Sequence, residues 1–251
     1  MTILDKFRLD GRIAIVTDGS APLGAALARG LAEAGADVVL AARHAGHLNN
    51  AANLIRDTGR RAVTVEADVN DPSQCSALVE AAINEFGKVD VLVNNAELVD
   101  PGQAIDLTVQ DFRSVIDSNL HSSYWAAKAC GLVMRPGSSI VNITGVAALT
   151  TLSLPRAAYS ASAAALTGLT RDLAQQWGSR KGIRVNTIAQ GFIDASAGHI
   201  DSPIKSHSAR IVLGRNGTPE EIASTLVWLA SEAGSYVTGQ TIVVDGGVSL
   251  T

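Results

Sequence analysis

Seven short runs of β-branched and other apolar residues punctuate the chain: IAIVT (13–17), DVVLAA (37–42), AVTVEA (62–67), VDVLVN (89–94), SIVNIT (139–144), IRVNTIA (183–189) and QTIVVD (240–245). Their hydrophobicity is continuous, whereas a strand with one wet face would alternate, so the runs are expected to be buried on both faces. Between them lie segments with apolar residues at helical spacing, such as LGAALARGLAEAG (23–35) and CSALVEAAINEFG (75–87). Strands alternating with helices in this way form a parallel sheet with helices above and below it. Right-handed crossovers then make the sheet doubly wound. No linker, repeat or low-complexity tract breaks the pattern, so residues 1–251 are expected to form one α/β domain.

Charge narrows the function. With 20 Lys and Arg against 24 Asp and Glu the net charge is −4, which offers no basic face to nucleic acid or an anionic membrane. No apolar run approaches the roughly 20 residues of a membrane span. The start, MTILDKFRLDGR, lacks the apolar stretch of a secretory signal, so a cytoplasmic location is expected. Cys75 and Cys130 are far apart and without histidines at ligand spacing, which fits buried thiols in a reducing compartment. His44 and His47 make an H-x-x-H pair, but two ligands do not make a metal site, and no metal is expected.

The sixth run is followed by a long irregular segment, residues 191–217, before the helical pattern of TPEEIASTLVWLAS. It leaves the carboxyl ends of the strands, where open α/β sheets bind ligands, and is expected to act as a lid or substrate loop. His199, Lys205 and His207 lie in it and could serve as acid or base, although polar loop residues are common as surface decoration.

A set of ordered landmarks carries a resemblance: the turn after the first strand, ADVND (67–71), NNA (94–96), Asn119, AAYSAS (157–162), TPEEIA (218–223) and GQTIVVDGG (239–247). Over essentially its whole length the chain resembles the short-chain dehydrogenase/reductase family. The resemblance implies a Rossmann-type, seven-stranded sheet, a nicotinamide cofactor and assembly into dimers or tetramers. It places Asp18, Gly19, Pro22, Leu23 and Gly24 at the pyrophosphate, Asp68 and Val69 at the adenine, and Asn95, Ala96 and Glu97 along the cofactor. Arg43, where NAD-preferring members carry an acid, leans toward the 2′-phosphate of NADP(H) rather than NAD(H).

At the same site the chain departs from the family pattern. TDGSAPLG (17–24) puts Asp18 and Pro22 at two glycine positions of T-G-x-x-x-G-x-G, and Pro22 has no N–H to offer an anion. Glu97 replaces the glycine of N-N-A-G. Gln190, Gly191, Phe192, Ile193, Asp194 and Ala195 stand where the family reads P-G-x-x-x-T. The resemblance assigns catalysis to Ser, Tyr, Lys and an accessory Asn. A phenol with a pKa near 10 needs a nearby cation to favour its anion. Here Gly145 holds the serine position, with Thr144 beside it, and Ala163 the lysine position, leaving Tyr159 and Asn119. Arg156 would reach the phenol only by folding back from the helix start.

Because these departures concentrate on one site, the sequence points to a catalytically inactive subunit with no cofactor. It would be a structural or regulatory partner of an active paralogue in a homo- or hetero-oligomer. The resemblance implies association through the fourth and fifth helices, here 111–130 and 157–177, and the C-terminal strand region, with Tyr124 and Trp125 offered as anchors. The alternative is an NADP(H)-dependent oxidoreductase of a secondary alcohol or ketone with an atypical site. A third possibility is a small-molecule binder using the same cleft.

Overall fold

The computed structural model describes residues 2–44, 46, 48–99, 102–152, 154–194 and 210–251. The apolar runs become β1 (Ile13–Thr17), β2 (Asp37–Ala42), β3 (Ala62–Glu66), β4 (Val91–Asn94), β5 (Ser139–Gly145), β6 (Arg184–Gln190) and β7 (Thr241–Val244). They form one parallel sheet in the order β3-β2-β1-β4-β5-β6-β7. The order reverses between β1 and β4, and crossovers on either side of that point leave a crevice beyond the strand ends.

Helices α1 (Pro22–Glu33), α2 (Leu48–Arg56) and α7 (Pro219–Ala230) cover one face of the sheet; α3 (Pro72–Phe86), α5 (Ser122–Val133) and α6 (Ala157–Lys181) cover the other. Alternate residues of each inner strand feed the two cores. Val16 and Leu40 meet Leu27, Leu31, Ile55 and Leu226 on the first side. Ile15 and Val39 meet Leu78, Ala82, Cys130 and Leu173 on the second. Burying each Leu or Ile contributes roughly 1.5–3 kcal/mol, so the continuous strand hydrophobicity is used on both faces. Local signals set the helix ends: Asp71 accepts from Ser73 N at the start of α3, Thr218 and Glu221 form a capping box on α7, and Gly182 closes α6 at φ 66°.

One expected helix is divided. The 111–130 segment lies in α4 (Val109–Ile116), a π-helical turn (Asp117–His121) and α5. The wider turn holds Asn119, whose buried side chain bonds sideways to Leu98 rather than up its own helix. Trp125, expected as an anchor for a partner, packs half-buried against the α3–α5 core, with the Tyr124 ring edge-on at 4.8 Å. Of the 191–217 segment, residues 195–209, including Ala195, His199, Lys205 and His207, lie outside the described residues, as does His47. Among the described residues no helix is long and apolar enough to cross a membrane.

An apolar sheet face does not by itself fix where a helix sits along it. A buried polar chain does this for α6. Asn94 Nδ2 donates to Asn142 Oδ1 at 2.8 Å, Asn142 Nδ2 donates to Thr170 Oγ1 at 2.8 Å, and the Thr170 and Thr187 hydroxyls are 2.7 Å apart. Three strands and α6 are thus pinned in one register. Thr170→Val would leave Asn142 Nδ2 and the Thr187 hydroxyl without this partner. It is expected to cost about 1–3 kcal/mol in urea unfolding with an unchanged m value. Adding Asn142→Leu should cost less than the sum of the single changes, because both partners of one bond are then removed.

Candidate active site

The crevice begins at the end of β1. The Thr17 hydroxyl donates to Val93 O and accepts from Asn95 N at 2.9 Å, tying the turn after β1 to the loop after β4. Asp18 then turns left-handed at φ 49°, the only non-glycine with positive φ among the described residues. Asn95 Nδ2 reaches Asp18 O at 3.4 Å. A Cβ at Gly24 would fall 2.2 Å from Asp18 O, so glycine there lets α1 close onto the turn. A Cβ at Gly19 would meet the end of the Leu40 side chain at 2.6 Å. Helix α1 starts with Pro22 and has no side-chain cap. The N–H groups of Leu23 and Gly24, which have no partner within the helix, are left for an anion.

Asp18 also lines a narrow pocket with Arg43, Asp68, Val69, Ala96 and Glu97. Burial pushes the Asp18 carboxyl above its ordinary pKa, and the Arg43 guanidinium pulls it back in part. An Asp pushed toward its neutral form repels a diphosphate less than a fixed carboxylate would. The turn thus keeps the Leu23 and Gly24 N–H groups for an anion, while the Asp18 carboxyl and the missing N–H of Pro22 weaken its grip.

The loop after β4 carries Glu97 into the centre of the crevice. Asn119 holds that loop in place: its Oδ1 accepts Leu98 N at 2.7 Å and its Nδ2 donates to Leu98 O at 2.9 Å and to Ser162 Oγ at 3.0 Å. The side chain of Asn119 is thus directed at backbone next to Glu97. Tyr159, one turn into α6, donates its hydroxyl to Glu97 Oε1 at 2.6 Å. Gln190 Nε2, at the end of β6, stands 3.5 Å from Glu97 Oε2. The absence of a side chain at Gly145 makes this pairing possible, since a Cβ there would lie 2.2 Å from the Tyr159 hydroxyl oxygen. Position 145 is expected from the sequence to have lost a hydroxyl; in the structure the phenol fills its space.

The electrostatics differ from what a lysine would impose. Tyr159 is pushed well above the usual phenol range by burial and by Glu97. Glu97 is itself raised, first by burial, against the bonds it accepts and the charge of Arg156. Arg156 does fold back from the helix start: its guanidinium carbon lies 5.9 Å from the Tyr159 ring centre. The α6 N-terminus bends there, with φ −146° and ψ 49° at Arg156, which turns the side chain back over its own helix. Ala163 is buried and brings no cation.

Tyr159, Glu97, Gly145, Arg156 and Gln190 line one cleft of about 380 Å³ with Val99, Val146, Leu152, Leu154, Phe192 and Ile193. A buried phenol beside a carboxyl, facing a largely apolar space, can deliver a proton to a bound oxygen or take one from it. The sequence brings Tyr159 to this place but has no signal for its pairing with Glu97. The clue available was a carboxylate replacing a glycine in a loop that closes against the sheet.

A family model described as enoyl-(acyl carrier protein) reductase matches residues 19–249. The 3-oxoacyl-[acyl-carrier-protein] reductase of Chlamydia muridarum is 37% identical, covering 96% of this chain and 98% of that protein. The 2-dehydro-3-deoxy-D-gluconate 5-dehydrogenase of Dickeya dadantii is 35% identical, covering 98% of each. Among solved structures, a blue fluorescent protein from a metagenomic library in complex with NADPH superposes with a TM-score of 0.90 at 35% identity, covering 96% of this chain and 99% of that one. The first two are named as a reductase and a dehydrogenase, and the third is a complex with NADPH. That overturns the expectation of an inactive subunit without a cofactor. The expectation counted the hydroxyl and amine missing at Gly145 and Ala163; a motif count does not register the carboxyl that Glu97 brings to Tyr159. With the family model spanning most of the sequence and relatives above 30% identity along its full length, the chain belongs to the short-chain dehydrogenase/reductase family.

Proposed function

We propose that the protein is an NADP(H)-dependent oxidoreductase that interconverts a secondary alcohol and a ketone. The observation that carries this reading is the Tyr159 hydroxyl, held at 2.6 Å by Glu97 in a mostly apolar cleft at the strand ends. The departures at Asp18, Pro22, Gly145 and Ala163 are taken as an altered site rather than a lost one. The Leu23 and Gly24 N–H groups would hold the diphosphate, Asp68 and Val69 the adenosine, and Arg43 the 2′-phosphate. Bound there, the cofactor supplies or accepts hydride. The apolar walls at Val146, Leu152, Leu154 and Phe192 favour a substrate with a hydrocarbon body. Asn119 acts as a positioning residue, through Leu98.

Self-association belongs to the same proposal. Val109 and Phe112 on α4 are exposed apolar side chains within one turn of each other. A stable oligomer in sedimentation, dispersed by Phe112→Asp, is the expected result.

Two substitutions test the cofactor reading by NADPH fluorescence titration. Arg43→Ala should weaken NADPH about tenfold while leaving NADH little changed, the loss of one charge-assisted contact to a phosphate. Asp18→Asn should strengthen NADPH binding about tenfold, since two like charges 4 Å apart repel by roughly 1 kcal/mol in water and more in a cleft. The sign of the pH effect follows: Asp18 ionises as pH rises through its raised pKa, so wild-type affinity should fall with pH and the Asn variant should lose that slope. No binding of either nucleotide would defeat the reading.

A further inference from the structure

One charge in the Tyr159 cleft has its donors unspent. Arg156 is half-buried and lines the cleft, yet its guanidinium makes no hydrogen bond or ion pair among the described residues. The other half-buried arginines are all engaged: Arg12 with Asp90, Arg60 with Asp37, Arg184 with the carbonyls of Leu229 and Val237, and Arg210 with that of Thr251. A guanidinium carries only donors, set in a planar fork, and drawing it partly out of water is costly unless they are met. The contact of Arg156 with the Tyr159 ring, 5.9 Å from the guanidinium carbon, uses none of them. Glu97, the other charged group lining the cleft, does not take them up either. Its oxygens already accept from the Tyr159 hydroxyl at 2.6 Å, from Gln190 Nε2 at 3.5 Å and from the backbone N–H of Gly145. Helix α6 starts at Arg156 with no side-chain cap and no acid in its first turn, so its positive end adds to the guanidinium charge.

Resting on the oxidoreductase reading, we propose that the substrate is an oxo acid with an apolar body, and that Arg156 is the specificity-determining residue that holds its carboxylate. Arg156 and Tyr159 stand one turn apart at the start of α6 and line the same cleft. A single molecule can therefore set its carbonyl at the phenol and its carboxylate on the guanidinium. The planar fork meets a carboxylate in a bidentate way, through parallel N–H···O bonds. The hydrocarbon of the same molecule packs on Val146, Leu152, Leu154 and Phe192. Among the described residues Arg156 is the only cation lining the cleft, so a carboxylate buried there has one place to be neutralised. Glu97 sharpens the choice. With its oxygens occupied by donors from the protein it offers nothing to a second carboxylate. A substrate entering end for end would set two like charges side by side.

Three acids probe the site: 2-oxo-4-phenylbutanoate, 4-oxo-4-phenylbutanoate and 5-oxo-5-phenylpentanoate. Each is compared with its methyl ester, which keeps the carbonyl and the phenyl group and loses the charge. In reduction by NADPH, kcat/KM is expected to favour the acid about 10–100-fold for at least one pair, the worth of charge-assisted hydrogen bonds to a guanidinium. In Arg156→Gln the preference should vanish through the acid alone, with the ester reduced as before, a result that a merely structural role for Arg156 would not give. Arg156→Lys keeps the charge without the fork and should recover part of the preference. Equal use of acids and esters by the wild type overturns the proposal and leaves the oxidoreductase reading untouched; so does a preference that survives in Arg156→Gln. The wild-type comparison needs no variant, so it decides the matter even if Arg156→Gln fails to fold. Binding is read separately by calorimetry with 4-phenylbutanoate, which has no ketone to reduce. Its affinity should fall about tenfold or more in Arg156→Gln, and equal affinity for the two proteins overturns the proposal. Binding that depends on Arg156, in a protein that takes up NADPH but reduces none of the ketones, would sink the oxidoreductase reading and leave the carboxylate site standing.

Discussion

The seating of α6 on the sheet depends on a few buried polar bonds. Apolar packing between a helix and a sheet is non-directional, so it tolerates sliding along the helix axis. The chain from Asn94 through Asn142 and Thr170 to Thr187 does not, because a shift of one residue would strand buried donors and acceptors. Tyr159 lies eleven residues before Thr170 on the same helix. The position of its hydroxyl is therefore set from below by this network.

The other half of the site is held from the opposite side. Asn119 clamps both backbone polar groups of Leu98, and Thr17 ties Asn95 and Ala96 to β1. Glu97 sits between these anchors and meets Tyr159. Two rigidly held elements thus bring together a phenol and a carboxyl: burial and Glu97 make Tyr159 harder to ionise, while the bond from Tyr159 partly offsets the rise that burial imposes on Glu97. This is a different solution from a lysine's charge. A lysine would stabilise the phenol's anion, whereas Glu97 opposes it.

Most of the fold was legible in the sequence. Each of the seven apolar runs became a strand, with boundaries shifted by no more than two residues at either end. Continuous hydrophobicity reports burial on both faces directly, and that is why the reading worked. The division of the 111–130 segment was not legible, because the π turn at Asn119 follows from a side-chain bond to Leu98, 21 residues away. The half-buried seat of Trp125 against the α3–α5 core was not legible either, because it depends on where α3 is placed beside it.

The sequence by itself determined the strand order's raw material, the glycine at 24 that lets α1 close on its turn, and the identity of Tyr159 as the surviving phenol. It also determined what is absent, a hydroxyl at Gly145 and an amine at Ala163. Only the tertiary structure decided what those absences mean. Glu97 and Tyr159 are 62 residues apart in the chain, and Gly145 comes between them in sequence but beneath the phenol in space. No local pattern encodes that convergence, since it arises where parallel strands from both halves of the sheet end at a common edge.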